Sequence, residues 1–200
     1  MGFRARDLWL SLILLITALC LIVLFMLTAG CSSGDSTKDN GTPGDSQPGT
    51  EHEVPLTTLA QGTNSEYGRF DEVPIPEDAP PECMIITNEE EYLRLISLAM
   101  LEEPETAVDF ESEIVLAALQ GPKNTGGYAI SIMRASQNGA QVRIEVDVVE
   151  PDPGSMTIQV LTSPYHLVTA ERSAFDPNGE LVFSFYDQDD SLLSQQGTQI

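Results

Sequence analysis

The stretch that decides the fold is Gln141-Val142-Arg143-Ile144-Glu145-Val146-Asp147-Val148, in which every second residue is apolar. This period of two is typical of a β-strand with one buried and one solvated face. Tyr128–Ile132 alternates in the same way. Between the two stretches lies Asn138-Gly139, a dipeptide favoured in type I′ hairpin turns. The sequence therefore predicts an antiparallel hairpin at the centre of the domain.

Shorter apolar runs predict further strands around this hairpin. Ile114–Leu119 is apolar throughout, as expected of a strand that is buried on both faces. Asp176-Pro177-Asn178-Gly179 predicts a turn that leads into the last strand. The other predicted strands are Leu56–Gln61, Cys83–Ile86, Met156–Leu161, Leu167–Ala170 and Leu181–Tyr186.

One helix is predicted near residues 89–101. Thr87-Asn88-Glu89-Glu90 has the pattern of a capping box, with Thr87 as the N-cap, and Pro104 follows the expected end. The apolar residues at helical spacing are Tyr92, Leu93, Ile96, Ala99 and Met100. The predicted fold class is α+β and β-rich: a mainly antiparallel sheet or sandwich with one helix.

The chain begins with a different kind of segment. Arg4 and Arg6 precede an uncharged apolar run, Leu8–Leu27, which ends in Leu27-Thr28-Ala29-Gly30-Cys31. This arrangement resembles the signal peptide and lipobox of bacterial lipoproteins. The resemblance implies that residues 1–30 are removed, that Cys31 carries the lipid, and that the protein is anchored outside the cytoplasm to a bacterial membrane. Twenty apolar residues are also long enough for an uncleaved membrane anchor.

Composition divides the rest of the chain. Residues 31–53 are rich in Ser, Gly, Asp and Pro, which predicts a disordered tether. Residues 54–187 have the size of a single domain, and residues 188–200 are predicted to be an acidic and polar tail.

The charge of the chain limits its partners. It has 31 acidic and 9 basic residues, a net charge of −22. Such acidity argues against nucleic acid, whose binding requires basic residues that neutralise phosphates, and against an anionic lipid surface. Such a charge is typical of a soluble protein with a solvated surface; the alternative interpretation is attraction to a basic partner or to divalent cations.

The sequence predicts no enzyme, no cofactor and no transition-metal site. Cys83, the one cysteine of the folded part, begins an apolar run and is expected to be a buried strand residue. Ser163 and His166 lie three residues apart without the G-x-S-x-G pattern of a hydrolase elbow. Calcium or a small ligand remains an alternative. Its candidate oxygen ligands are Asp176, Asn178, Glu180, Asp187, Asp189 and Asp190, which do not complete an EF-hand.

Two loops at strand ends contain the candidate partner-binding residues. They are Asn124-Thr125-Gly126-Gly127-Tyr128 and Thr162-Ser163-Pro164-Tyr165-His166. Their spacing fits a hairpin and one further crossing, which would place both at one end of a sandwich. Two interpretations are open: the residues form tight chain connections, or they form a recognition surface on a rigid scaffold.

Together with Pro153-Gly154, these two motifs resemble the C-terminal domain of the protease-complex subunit PrcB family, from about Ile114 to Val168. The resemblance implies a non-catalytic lipoprotein that binds a protein partner as an accessory or stabilising subunit, with an exported protease as the candidate. Asn124–Tyr128 also resembles a loop of chagasin-type cysteine-protease inhibitors, although it lacks the proline of that loop. An inhibitor-like function is therefore an alternative.

The lipobox resemblance yields the first prediction. Cys31→Ala removes the thiol that takes the lipid, so it should abolish labelling by a radioactive fatty acid and leave the signal peptide uncleaved. Gel autoradiography and the intact mass of the purified protein measure both effects. Unchanged labelling and unchanged mass would contradict lipidation at Cys31.

Overall fold

A computed structural model describes residues 51–69, 75–101, 107–176 and 180–200. Cys31, the predicted signal peptide and most of the predicted tether lie outside these residues. No helix among the described residues is long and apolar enough to cross a membrane. The strands are β1 (His52–Val54), β2 (Thr57–Gly62), β3 (Glu82–Ile86), β4 (Glu113–Leu119), β5 (Ala129–Asn138), β6 (Gln141–Val149), β7 (Tyr165–Glu171), β8 (Glu180–Tyr186) and β9 (Leu192–Gln199), and the helix is α1 (Glu89–Ala99).

The strands form two packed sheets. Sheet A has the order β1-β5-β6-β8-β9, and sheet B has the order β2-β7-β4-β3. Among the described residues the paired strands are antiparallel, with the exception of the parallel pair β6 and β8. A short 3₁₀ turn, Arg172–Ala174, follows β7. The predicted β-rich α+β class, with mainly antiparallel sheets and one α-helix, is confirmed.

Strand β4 shows why the two sheets and the helix form three layers. Ile114, Leu116 and Ala118 pack between the sheets, where Phe183 and Phe185 are fully buried. The alternate residues Val115, Ala117 and Leu119 pack on the opposite face, beneath the helix. Successive side chains of a strand point to opposite faces, so a strand covered on both sides must be apolar at every position. The prediction of a doubly buried strand here is confirmed.

The N-cap of helix α1 lies one residue later than the sequence pattern indicates. Asn88, not Thr87, is the N-cap: its backbone is extended, and its Oδ1 accepts a hydrogen bond from the Glu91 amide at 2.9 Å. The Glu91 carboxylate accepts in return from the Thr87 amide at 3.3 Å. The core face consists of Tyr92, Leu95, Ile96 and Ala99. Leu93 and Met100 were expected in that face, but both are exposed: Leu93 lies about 100° around the helix from the centre of the face, and Met100 is the C-cap, with a left-handed backbone at a φ of 47°.

The central hairpin forms, although its turn differs from the expected type. Asn138 pairs with Gln141, so the two turn residues are Gly139 and Ala140. Gly139 has a φ of 58°, and Ala140 is not among the residues of positive φ. A positive φ at the first turn residue alone is the pattern of a type II′ turn, which also matches the twist of the flanking strands.

Both ends of the predicted domain are longer than the sequence indicates. His52 and Glu53 were assigned to the tether, yet together with Val54 they pair with β5 as an edge strand. The predicted tail contains β9, which pairs along β8. The β9 residues lack the apolar alternation that sequence analysis detects, because none of them is fully buried at this edge of the sheet.

Gln196 on β9 joins the edges of the two sheets. Its side-chain amide donates to the Cys83 carbonyl at 3.0 Å and accepts from the Ile85 amide at 3.3 Å. These backbone groups belong to β3, the edge strand of sheet B, and point away from its neighbour β4. The Gln196 side chain therefore satisfies two backbone groups that a further strand would otherwise pair with.

The predicted strand Met156–Leu161 is wrong. The segment has no strand pairing where it crosses from sheet A to sheet B. Both long edges of β6 are occupied by β5 and β8, and both edges of β7 by β2 and β4. Neither of these flanking strands has a free edge for the segment, so its alternation of apolar residues does not produce a strand.

The contact at Gln196 predicts a measurable loss of stability. Gln196→Ala leaves a donor and an acceptor of β3 without their side-chain partner, which should reduce the free energy of unfolding by about 1–3 kcal/mol. Urea unfolding of the purified protein measures this. Gln199→Ala, at an exposed position of the same strand, is the control. Equal stability of the two variants would show that Gln196 does not join the sheets.

Candidate functional site

The two predicted loops lie side by side at one end of the sandwich. We call Asn124–Tyr128 the glycine loop and Thr162–His166 the proline loop. Lys123, directly before the glycine loop, forms a backbone bridge with Thr162, with N–H to O distances of 2.8 and 2.9 Å. The Thr162 hydroxyl also donates to the Thr125 carbonyl at 3.0 Å. The loops connect the sheets in opposite directions, and these hydrogen bonds fix them as one unit.

Ser163 ties the proline loop to a third segment, residues 63–67. It is fully buried, and its amide donates to the Thr63 carbonyl at 2.8 Å. Its carbonyl accepts from both the amide and the hydroxyl of Ser65, and the two serine hydroxyls lie 2.8 Å apart. Buried polar groups require such partners, so this part of the loop is structural.

Glu77 holds the glycine loop from the side. Its carboxylate accepts from the backbone amide of Asn124 at 3.2 Å and from the Asn124 side-chain amide. Its carbonyl accepts from the ammonium group of Lys123, which is only 4% exposed. The same ammonium group lies 5.3 Å from the centre of the Tyr128 ring, within range of a cation–π interaction. The acidic segment that precedes β3 therefore orients the loop.

The two glycines of the glycine loop support a neighbouring segment. The Gly126 amide donates to the Ile158 carbonyl at 3.0 Å. A Cβ at Gly126 would lie 2.9 Å from Cγ1 of Ile158, a distance at which one of the groups must move. Gly127 has a φ of 98°, a conformation that favours glycine, and its missing side chain leaves room for Pro151.

The supported segment presents a row of exposed apolar side chains. We call these side chains the apolar ridge; they are Met156, Ile158, Val160 and Leu161, with exposures of 103%, 73%, 41% and 59%. A scattered apolar residue on a surface is ordinary, whereas neighbouring ones indicate an interaction site. Because the ridge was predicted to be a strand, sequence analysis did not propose it as a surface.

His166 connects the two sheets. Its Nδ1 accepts from the Ile132 amide of β5 at 2.8 Å, and its Nε2 lies 3.2 Å from the Thr58 hydroxyl of β2. Since an N–H donates to Nδ1, the ring carries its proton on Nε2. Burial lowers the pKa of His166, which favours the neutral ring that this geometry needs.

The predicted binding residues therefore differ in accessibility. Asn124 and Gly127 are exposed, and Thr125, Tyr128 and Tyr165 are partly buried. The buried ones are Gly126, Thr162, Ser163, Pro164 and His166. Tyr165 lies against Gly62, where a Cβ would stand 3.0 Å from its ring. The structure thus brings the two loops together but leaves only part of them available to a partner.

Sequence reasoning missed four residues that shape this end. They are Ser65, Glu77, Lys123 and Ile158. Ser65 and Glu77 lie in stretches with no periodic pattern, 98 and 47 residues from their respective partners Ser163 and Asn124. Lys123 offered one signal, since it is the sole cation between residues 95 and 133 of an acidic chain.

The candidate catalytic groups have structural partners. The Ser163 hydroxyl bonds to Ser65 and, at 3.4 Å, to the Tyr67 carbonyl, while both His166 nitrogens are directed to other groups. Cys83 is buried, as predicted; burial, with a smaller effect from Glu82, raises the pKa of its thiol to about 12. At neutral pH this thiol is not a nucleophile.

The candidate calcium ligands are divided. Asn178 lies outside the described residues. Asp187 accepts from the amides of Asp189 and Ser191 at 2.9 and 2.8 Å, and Asp190 pairs with Arg143. The described part of the chain contains no group of three or more side chains placed to hold a metal ion.

The described residues form a β-sandwich domain in which the glycine loop and the proline loop, which both connect the two sheets, are hydrogen-bonded to each other. The PrcB C-terminal family model matches residues 114–171. This span runs from β4 through β7 and includes both loops and the apolar ridge, and the chain contains a PrcB C-terminal-like domain there. Comparison with the curated proteins and with the solved structures gives no match.

The geometry of His166 predicts a pH effect on stability. The unfolded histidine binds its proton near pH 6.5, while the folded ring stays neutral to a lower pH. The stabilising contribution is therefore complete above pH 6.5 and decreases as the pH falls below it. His166→Asn keeps an acceptor near the position of Nδ1 and should lose less stability between pH 7.5 and pH 5.0 than the natural protein.

Urea unfolding at the two pH values measures this difference. The two proteins differ at residue 166 alone, so the effects of all other groups cancel in the comparison. An identical pH dependence of the two proteins would show that protonation of His166 is not linked to folding.

Proposed function

We propose that this protein is a non-catalytic, protein-binding lipoprotein of the bacterial cell envelope, an accessory or stabilising subunit of an exported protease. The observation that carries the proposal is the match of residues 114–171 to the PrcB C-terminal family, over the span that builds the joined loops. The family's name refers to a subunit of a protease complex, and that relationship supplies the candidate partner.

The rigidity of the loops supports a binding function. The Lys123–Thr162 bridge and the contacts of Ser163 and Glu77 fix the backbone before any partner arrives. A surface that is already ordered loses little conformational entropy on binding. Tyr128 contributes a half-exposed aromatic ring at this end, and tyrosine is enriched among residues that dominate binding energy.

The chemistry of the described residues supports a non-catalytic function. Ser163 is fully buried, the thiol of Cys83 is protonated, and the nitrogens of His166 serve the fold. These groups serve structural contacts, which favours binding over catalysis as the activity of this end.

The anchoring function rests on the segment before the domain. Arg4 and Arg6, the apolar run Leu8–Leu27 and Cys31 supply the basic, apolar and lipidated parts of a lipoprotein signal. About 20 residues lie between Cys31 and β1, and as the predicted tether they would have a reach of roughly 22–27 Å. The domain could then meet an exported partner without a fixed orientation at the membrane.

A crosslinked pull-down of the tagged protein from its own membranes tests the proposal. Mass spectrometry should recover one exported protease or its subunits, and membranes from cells that carry the untagged protein should yield neither. If no exported protease is recovered from the membranes that carry the natural protein, the accessory-subunit function is wrong.

Tyr128→Ala tests the loop end itself. It should reduce recovery of the partner by about tenfold or more, because it removes an aromatic ring from the binding surface. Tyr186→Ala is the matched control: this ring is also half-buried beneath a cation, with Arg143 at 4.1 Å, but it lies on sheet A outside the loops. Calorimetry should give similar melting temperatures for both variants. If binding falls only in proportion to the loss of stability, Tyr128 stabilises the fold and is not a binding residue.

A further inference from the structure

We propose that the apolar ridge is the part of this end that enters the partner, and that it inserts into an apolar cleft rimmed by lysine and arginine on a protein. This inference rests on the proposed function and names the surface and the chemistry of the partner. The two loops are then the support of the binding surface, and the ridge is its centre.

The exposure of the ridge is the first observation. Four of the six residues from Met156 to Leu161 are large and apolar, and each is at least 41% exposed. Ile158 and Val160 adjoin, since both lie within 3.5 Å of the position of a Cβ on Gly126. Covering such neighbouring side chains removes apolar surface from water, which is the main source of free energy in protein association.

The backbone of the ridge is the second observation. Within the described part of the chain, its backbone bonds are Gly126 N–H to the Ile158 carbonyl and Val160 N–H to the same carbonyl. The second bond closes a three-residue turn centred on Gln159. The remaining amides and carbonyls of 156–161 have no protein partner there, and a cleft with polar groups can satisfy them.

The glycine loop holds the ridge outward. Because Gly126 has no side chain, the Ile158 side chain can pack across it and still be 73% exposed. Thr157 lies between two ridge residues and is half-buried. Its methyl group is 3.8 Å from the position that a Cβ on Gly127 would take. The glycines therefore place the inward residue Thr157 against the domain and the outward residues Met156 and Ile158 in solvent.

Charge determines the chemistry of the rim. No lysine or arginine occurs between Arg143 and Arg172, and Glu150 and Asp152, which precede the ridge in the chain, are exposed. Lys123, the cation bridged to the proline loop, is 4% exposed and donates to the Glu77 carbonyl. An apolar surface with acidic flanks is complementary to an apolar cleft with a basic rim. It is repelled by anionic lipids and by a second copy of a chain whose net charge is −22.

Photocrosslinking in the anchored, full-length protein tests the location. Benzoylphenylalanine in place of Ile158 should crosslink to the protease recovered in the pull-down, in a segment with apolar residues and flanking lysine or arginine. The same group in place of Leu98, which is 53% exposed on α1, is the control and should give no such crosslink. Equal crosslinking to that segment from both positions would overturn the inference.

Ile158→Glu measures the energetic importance of the ridge. With the purified protease, it should weaken binding by about tenfold or more, whereas Leu98→Glu, with the same change in charge, should bind as the natural protein does. Gly126→Ala should weaken binding in the same direction, because its methyl group displaces Ile158. Binding of the natural protein should also weaken as the salt concentration rises, as expected for charge attraction at a rim.

Three results would overturn the inference while leaving the proposed function intact. The first is that Ile158→Glu binds the protease as tightly as the natural protein does, while Tyr128→Ala no longer binds it. The second is binding of the natural protein, but not of Ile158→Glu, to phosphatidylglycerol–phosphatidylethanolamine vesicles. The third is a dimer in sedimentation equilibrium that Ile158→Glu dissociates. Recovery of no protease by the natural protein would reject the proposed function and the inference together.

Discussion

Two chain crossings meet at one end of the sandwich, and the backbone bridge between Lys123 and Thr162 holds them together. One crossing carries the chain from sheet B to sheet A, and the other returns it. Neither crossing has regular secondary structure, so without this bridge each would be a separate loop. The bridge fixes the position of Gly126, and through Gly126 it fixes Ile158. The presented surface therefore depends on two hydrogen bonds that involve none of its exposed side chains.

The parts of the fold that could be predicted are those where burial imposes a pattern of apolar residues, as in the alternating β6, the uninterrupted β4 and the helical spacing of α1. Strand β6 is the clearest example, since its charged residues face solvent and its apolar ones lie on the core side of the sheet, beside Phe183 and Phe185 of β8. Strand β9 could not be predicted because it is held by backbone pairing with β8 and by Gln196, whose amide contacts backbone groups 113 and 111 residues away. A polar residue with a distant backbone partner leaves no periodic pattern in the sequence.

The candidate site was predictable in outline for a different reason. Glycine, proline and tyrosine at strand ends mark chain reversals, and two of these in order indicated a shared end. Which of these residues face solvent could not be predicted. In the sequence Ser163 has the pattern of an exposed loop residue, but its contact with Ser65 buries it. Ile158 has the pattern of a strand residue, but both neighbouring strands are already paired on both edges. Accessibility at this end is determined by contacts between segments, which composition does not reveal.

The acidity of the chain and the apolar ridge have complementary effects. An exposed row of Met156, Ile158 and Leu161 would favour self-association in a neutral protein, because apolar surfaces bind one another without directional preference. A net charge of −22 opposes that association, since two copies repel before their ridges can meet. In the proposed complex the same charge would attract the basic rim of the partner, and the apolar contact would supply the affinity. The acidity and the exposed apolar row are then compatible, because the charge opposes the pairing of two copies while it favours the proposed partner.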